Sequence, residues 1–243
     1  MSTESDRIRR AYDERDTGGT ASVYSWENPG YAWHIQDLEW QLLAGLRRTG
    51  ATLTGAQVLE VGCGFGAILQ RMVDLGAAGG TGVDLSESRI EAARRRYPAL
   101  DVRVADASAL PFEDGTFDVV TQFVCLSSVL DPGMRQAICA EMLRVTRPGG
   151  LIVSYDLRPT PRPIQALGRV YARVRRVELD RGTPTEPVTV DALRAAFGDL
   201  DARTVTLNYD LAAVAGRSRL LAYALASLPP LRTHTLAVAR RAG

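Results

Sequence analysis

A chain of 243 residues, 46% of them hydrophobic, is long enough for one α/β domain with a large core. Its net charge of +1 leaves no electrostatic footprint for nucleic acid as a whole-protein property, and no uninterrupted apolar span reaches transmembrane length. The first ten residues are polar and charged, unlike a signal peptide, and three scattered cysteines suit neither a disulfide framework nor a zinc site, so a cytoplasmic protein without metal is expected.

Met1 to Asn28 reads as a polar leader, and Tyr31 to Arg48 as a helix with Trp33, Leu38, Leu42, Leu43 and Leu46 as its apolar points. Gln57 to Val61 is apolar and partly β-branched, as a strand buried on both faces of a parallel sheet must be. It runs into Gly62, Gly64 and Gly66, after which Phe65, Ile68, Leu69, Met72 and Val73 keep the spacing of one helical face. Such glycines let the backbone turn sharply and approach a ligand, which is then delivered to free N–H groups at a helix N-terminus. A second strand, Gly80 to Val83, closes on Asp84, placed to accept hydrogen bonds from the two hydroxyls of a ribose. Val102 to Val104 leads into Ala105-Asp106-Ala107, followed by Leu110-Pro111-Phe112 and the strand Phe117 to Val120.

Further on, a helix from Arg135 to Thr146 is stopped by Pro148-Gly149-Gly150, which turns into the strand Leu151 to Tyr155. Val188 to Phe197 reads as a helix, Ala202 to Asn208 as a strand, Leu211 to Leu228 as an apolar helical insertion ended by Pro229-Pro230, and Thr233 to Ala239 as a last strand. Alternating strands and helices from Gln57 to Asp156 predict an α/β fold with a parallel, doubly wound sheet and right-handed crossovers. The division expected is a helical lid over residues 1–50 and a core over 51–243, with cap insertions at about 157–187 and 209–231. The second insertion suits either a cover over the site or a face for a second subunit in a homodimer. Arginines 158, 162, 169, 173, 175 and 176 have the spacing of a solvated helix face; every one of the Lys/Arg positions is arginine.

Up to Asp84 a nicotinamide dehydrogenase and a methyltransferase read alike, and the third element separates them. Glu60-Val61-Gly62-Cys63-Gly64-Phe65-Gly66, Gly82-Val83-Asp84-Leu85-Ser86, Asp106 with its Leu-Pro-Phe and Phe-Asp-Val-Val segments, and Glu141 through Gly150 stand in order across residues 55–156. In these motifs the chain resembles the class I S-adenosylmethionine-dependent methyltransferases, in particular the small-molecule branch often called type 11. The resemblance implies a Rossmann-like, mostly parallel seven-stranded sheet whose last strand inserts antiparallel beside the fifth. It also implies S-adenosyl-L-methionine as methyl donor and S-adenosyl-L-homocysteine as product. Gly62, Gly64 and Gly66 would line the methionine portion, with Cys63 a small filler in the loop and Glu60 beneath, facing the ammonium. Asp84 would hold the ribose, Leu85 the adenine ring, and Asp106 with the Ala107 backbone the adenine edge. Gln122 and Phe123, ending the fourth strand, complete the cofactor set. Structural readings stand beside these: Asp84 as a cap for the helix near Ser86, and Asp106 as a turn residue.

The acceptor is expected at the carboxyl edge of the sheet, between the leader and the loops after Val120 and Tyr155. Tyr12, Tyr24, Trp26, Tyr31, Trp33 and His34 gather aromatics in the leader, as a lid over a flat or apolar acceptor would. Substrate contacts are expected at Tyr24, Tyr31, Trp33, Ser127 and Arg158. Many relatives carry a His-His pair where this chain has Ser127-Ser128, so that base is missing. The Asn/Asp-Pro-Pro-aromatic motif of enzymes that methylate DNA bases or glutamine is also absent, Thr121-Gln122-Phe123 standing in its place, which disfavours nucleic-acid acceptors. A sulfonium methyl needs mainly alignment, worth effective molarities of about 10⁵ to 10⁸ M, with general-base help adding on the order of 10² to 10⁴. Base candidates are His34 and Asp156, then Tyr24 and Tyr31, while His234 reads as structural. The function expected is methyl transfer to a hydroxyl of a natural product or sugar-like metabolite. N- or C-methylation, a nicotinamide-dependent oxidoreductase and a non-catalytic binding protein are the alternatives.

Overall fold

The computed structural model describes residues 3–17, 28–161, 163–164, 184–208, 211–212 and 218–243. In chain order these give α1 (Thr3–Thr17), α2 (Pro29–Arg48), β1 (Gln57–Val61), α3 (Ala67–Asp74), β2 (Gly79–Asp84), α4 (Glu87–Arg96), β3 (Asp101–Val104) and β4 (Phe117–Phe123). Then follow α5 (Pro132–Val145), β5 (Thr146–Leu157), α6 (Val190–Phe197), β6 (Leu200–Leu207), α7 (Arg219–Ala226) and β7 (Arg232–Arg240). The strands form one seven-stranded sheet in the order β3-β2-β1-β4-β5-β7-β6. β1 to β5 pair in parallel, and β7 lies antiparallel between β5 and β6, as the resemblance implies.

Period-two alternation divides the strand residues between two cores. Val58, Val119, Val153, Tyr155, Leu236 and Val238 point to the face covered by α2, α3 and α4 through Leu42, Leu46, Leu69, Met72 and Ile90. Leu59, Val61, Val120 and Ile152 point to the other, against Ile138, Met142, Leu193 and Phe197 of α5 and α6 and Ile8 of α1. Polar side chains start the helices by accepting from their first turns: Asn28 from Gly30, Ser86 from Arg89, Asp131 from Met134 and Thr189 from Ala192.

The structure adds detail to the sequence reading in the N-terminal helices and departs from it at the two ends of α5. The polar leader contains a helix, α1, whose buried residues are only Ser5 and Ile8, too few for an apolar periodicity to show. α2, grouped with the lid by sequence, packs into the sandwich through Leu38, Leu42 and Leu46. α5 starts three residues before Arg135, because Asp131-Pro132 makes a cap followed by the one helical position where proline fits. It ends at Val145; Thr146 is already extended at ψ 132°, so β5 begins there and Arg147 to Gly150 form an irregularity between the pairs Phe117–Thr146 and Val119–Leu151. A Cβ on Gly150 would stand 2.9 Å from the carbonyl oxygens of both Arg147 and Asp118, so the chain closes there only with glycine. In the apolar insertion the described helix is α7, followed by a short 3₁₀ turn at Pro229–Leu231. Tyr24, Trp26 and the arginines from 162 to 176 lie outside the described residues.

Candidate functional site

The carboxyl ends of β1, β2 and β4 meet at the glycine loop. Gly62, Gly64 and Gly66 sit at φ 73°, 52° and 75°, the left-handed region that glycine enters without cost. Beside them space is closed: a Cβ on Gly62 would lie 2.8 Å from Cys125 Sγ, and one on Gly82 2.7 Å from Cys63 Sγ. Cys63 thus fills the gap between the loop and β2, and burial pushes both its thiol and that of Cys125 far above the ordinary range, so neither serves as a nucleophile.

Asp84 ties this loop to the next helix. Its Oδ2 accepts from the Gly64 N–H at 2.9 Å and its Oδ1 from the Ser86 N–H at 2.9 Å, while Ser86, not Asp84, caps α4. Burial raises the Asp84 carboxyl, and its N–H donors and Arg89 act against that. Glu60 is buried beneath, its Oε2 without a hydrogen-bond partner, and burial and then the neighbouring Asp84 charge raise its carboxyl well above the usual range. A buried carboxyl oxygen left unpartnered beside a backbone cradle fits an ammonium group, and two carboxylate oxygens held rigid by backbone N–H groups fit a diol; the residues present therefore suit an amino-acid-bearing nucleoside. Asp106 is a turn residue: Oδ1 accepts from the Ser108 N–H at 2.9 Å and hydroxyl at 2.6 Å, and Oδ2 from the Ser5 hydroxyl at 2.8 Å. Burial pushes its carboxyl up, but those hydrogen bonds outweigh it and hold it below the usual value. Leu85 and Ala107, half-buried, pack against the α5 face beside them. Gln122 is wholly buried and shapes the loop after β4, its Oε1 accepting from the N–H groups of Cys125 and Leu126 and its Nε2 donating to Ser154.

Within the helical lid expected over residues 1–50, the structure shows contacts the sequence did not, a strap made by α1. Besides Ser5 on Asp106, Glu4 accepts from the Leu130 N–H at 2.6 Å, Arg7 donates to the Ser128 carbonyl at 2.7 Å, and the Tyr12 hydroxyl meets Ser128 Oγ at 2.6 Å. Arg89 of α4 pairs with both oxygens of Asp16 at 2.6 and 2.7 Å, its guanidinium lying 4.3 Å from the Tyr12 ring and 5.1 Å from that of Phe65 in the glycine loop. The one sequence signal for this was Ile8 and Tyr12 at helical spacing among charges.

On the opposite face of the sheet lies a second polar cluster. His34 Nε2 is 3.3 Å from the Tyr155 hydroxyl, Tyr155 stacks on His234 at 4.5 Å, and the two histidine rings meet edge to face at 5.0 Å. Burial lowers His34 to about 4 and His234 well below the usual histidine value, so both rings are neutral at physiological pH. His234, expected as structural, thus joins His34. Phe123 lies 6.2 Å from the Tyr155 ring, and Trp33 meets Tyr223 of α7 edge-on at 4.9 Å. Asp156, the other base candidate, points to the α5 side and spends its oxygens on the N–H groups of Ser127 and Leu157 at 3.1 and 2.8 Å. Burial raises its carboxyl, opposed by those donors. Ser127 is buried, and Arg158 donates to the carbonyls of Pro229 and Arg232, tying the end of β5 to the turn before β7. Tyr31 stands half-buried in the first turn of α2. Among the described residues no three His, Cys, Asp or Glu converge as a metal-holding group, and no helix is long and apolar enough to cross a membrane.

Residues 58–150 match the family model described as a methyltransferase domain. Phthiotriol/phenolphthiotriol dimycocerosates methyltransferase 1 of Mycobacterium ulcerans is 41% identical over 115 residues, 46% of this chain and 41% of that one. Demethylmenaquinone methyltransferase of Tropheryma whipplei is 29% identical over 197 residues, 80% of this chain and 74% of its own. The chain thus spans 41% of the length of the first curated relatives it matches. Among solved structures, an S-adenosylmethionine-dependent methyltransferase from Mesorhizobium loti superposes with a TM-score of 0.56 at 21% identity, covering 82% of this chain and 96% of its own. A chain of the complex between the Haloferax volcanii Trm112 methyltransferase activator and a methyltransferase superposes with a TM-score of 0.58 at 17% identity, covering 98% of each chain. At these identities the structural likeness shows the fold.

Proposed function

The chain belongs to the class I S-adenosylmethionine-dependent methyltransferases, and from that premise we propose that it transfers the methyl group of S-adenosyl-L-methionine to a hydroxyl of a small natural product or sugar-like metabolite. The observation that carries the reading is the pair of carboxyls at the ends of β1 and β2: Asp84 clamped by Gly64 and Ser86, with the unpartnered Glu60 oxygen beneath. Glu60 and the glycine loop would hold the amino-acid end of the donor, Asp84 the ribose, Leu85, Asp106 and Ala107 the adenine side, and Gln122 the loop that closes over it. When bound, the donor supplies a sulfonium-activated methyl, an electrophile that needs no metal.

What the protein adds is alignment and exclusion of water, through α1 strapped over the edge by Ser5, Tyr12 and Asp16. A small acceptor is supported by the names of the relatives, which act on phthiotriol dimycocerosates and demethylmenaquinone. The free cysteines Cys63, Cys125 and Cys139 support a cytoplasmic enzyme. Calorimetric titration with S-adenosyl-L-homocysteine and, separately, with reduced nicotinamide dinucleotide tests the donor. Tighter binding of the homocysteine compound is expected, and the reverse order would replace this reading with that of a dehydrogenase.

A further inference from the structure

The cluster on the α2 face has polar atoms that the fold leaves unmatched. Trp33 and Asp37 stand at i and i+4 on α2, one turn apart on the same side of the helix, with His34 next to Trp33 in the chain. Trp33 Nε1 and Asp37 Oδ2 are enclosed with no hydrogen-bond partner, although Asp37 Oδ1 accepts from Gln41 at 3.0 Å. Buried donors and acceptors are ordinarily paired, and a donor and an acceptor left open on one helix face imply a ligand that supplies one of each. The three residues are half-buried as a whole, while these two polar atoms are enclosed.

The floor of the cluster is built for one arrangement. The Tyr155 hydroxyl donates to Thr206 Oγ1 at 2.8 Å, and with its single proton spent there it accepts from His34 Nε2 at 3.3 Å. That donor count places the His34 proton on Nε2 and leaves Nδ1 with its lone pair. Thr206 is held at φ 61°, a conformation a β-branched residue adopts only where its surroundings over-determine it, and such positions gather at functional sites. The cluster also adjoins the donor loop: the Val124 N–H donates to the Tyr155 carbonyl at 2.8 Å, and Cys125, the next residue, closes on Gly62.

Resting on the methyl-transfer reading above, we propose that Trp33, His34 and Asp37, set on the Tyr155–His234 stack, form the acceptor subsite. It takes a planar ring bearing two oxygen substituents. One oxygen receives the Trp33 N–H, the second is a hydroxyl oriented by Asp37, and His34 is the base for the hydroxyl that is methylated. In the step, the acceptor O–H bond breaks with its proton going to His34 Nδ1, and the oxygen's electron pair forms the O–CH₃ bond. The C–S bond of the donor breaks with its electrons on sulfur, leaving the neutral thioether S-adenosyl-L-homocysteine. The aromatic walls select the flat ring by stacking, and the open polar atoms select its oxygens.

The test uses the full chain loaded with S-adenosyl-L-homocysteine and titrated calorimetrically with 2,3-dihydroxynaphthalene and with 2,3-dimethoxynaphthalene, which keeps the ring and lacks the hydroxyl protons. The dihydroxy compound should bind at least tenfold more tightly, and Trp33→Phe and Asp37→Asn should each weaken it about fivefold, the value of one hydrogen bond, without altering affinity for the homocysteine compound. With labelled S-adenosyl-L-methionine, His34→Asn should lower kcat for the same probe by about 10² or more while leaving its KM within a few-fold. Equal binding of the two naphthalenes, or unchanged probe affinity in both binding variants, overturns the subsite; an unchanged kcat in His34→Asn overturns the base. Failure of wild type to bind S-adenosyl-L-homocysteine takes down the methyl-transfer reading itself, and the subsite with it.

Discussion

Replacing Asp84 with alanine removes one side chain and leaves two backbone donors behind. Gly64 N–H and Ser86 N–H each lose a carboxylate acceptor at 2.9 Å, in a part-buried site. Hydrogen bonds to charged groups contribute about 1.5–3 kcal/mol each, and orphaned buried donors add their own cost, so the two together set a destabilisation of about 3–5 kcal/mol. Burial has already raised the Asp84 carboxyl, meaning that part of the charge assistance is offset by desolvation, which favours the lower end of that range. For a chain of this size about 1 kcal/mol moves Tm by roughly 2–4 °C, so a fall of about 6–12 °C is expected by differential scanning calorimetry. Asp84→Asn should recover part of it, since an amide oxygen still serves Ser86 while the amide nitrogen meets the Gly64 N–H donor to donor. The same alanine variant should bind S-adenosyl-L-homocysteine about 5- to 30-fold more weakly, the loss of one to two hydrogen bonds of about 1 kcal/mol net. An Asp84→Ala protein with wild-type Tm and wild-type affinity would refute both the bracing of the loop and the ribose assignment.

Arg89→Ala removes the bidentate pair with Asp16 and the cation lying over Tyr12 and Phe65, so α1 should loosen: amide hydrogen exchange across Thr3–Thr17 should rise about tenfold, and S-adenosyl-L-homocysteine should dissociate faster; unchanged exchange would show that α1 is held elsewhere. His34 at about 4 in the fold, against an ordinary 6.5, takes up a proton less readily folded than unfolded; its contribution is therefore complete above pH 6.5 and lost as pH falls towards 4. The worth of that shift is about 3 kcal/mol, His234 acts in the same direction, and the titratable groups on their side of the sheet are Asp37 and Tyr155. Urea unfolding between pH 4.5 and 7.5 should show this slope in wild type and a shallower one in His34→Asn, and equal slopes would contradict the burial of a neutral imidazole. Gly62→Ala meets both a φ of 73° and Cys125 Sγ at 2.8 Å, and should cost about 2–4 kcal/mol in chemical denaturation; Cys125→Gly in the same chain should return only the steric part, about half, because the backbone strain stays.

How much of this was legible in the sequence follows from where each interaction is encoded. The glycine loop, Asp84 and the strand–helix alternation are local, written in adjacent residues, and the sheet from β1 to β5 agreed with them within three residues at each boundary except the start of β5, which lies five residues earlier than expected. The bounds and contacts of α1 were not legible because its stability comes from polar contacts with residues about 70 to 130 positions away, such as Asp13 with Ser86 and Glu4 with Leu130, rather than from an apolar stripe. Asp156 read as a base candidate at a strand end, and only the fold reveals that the loop after β4 uses one of its oxygens through the Ser127 N–H and that β5 itself uses the other through the Leu157 N–H.

His34 carried the opposite lesson. A single histidine on a helix gives no indication of its role, and its meaning came from Tyr155, Thr206 and His234, on three strands of which two, β6 and β7, come after the segment the motifs cover. The antiparallel insertion of β7 between β5 and β6 is what brings His234 against Tyr155 and Thr206 within reach of its hydroxyl. A motif resemblance confined to residues 55–156 therefore locates the methyl donor, whereas the groups argued to choose the acceptor depend on the part of the chain with the least sequence signal. That division is physical: the donor side repeats one backbone geometry for one ligand, while the acceptor side is assembled from side chains whose spacing only the closed sheet defines.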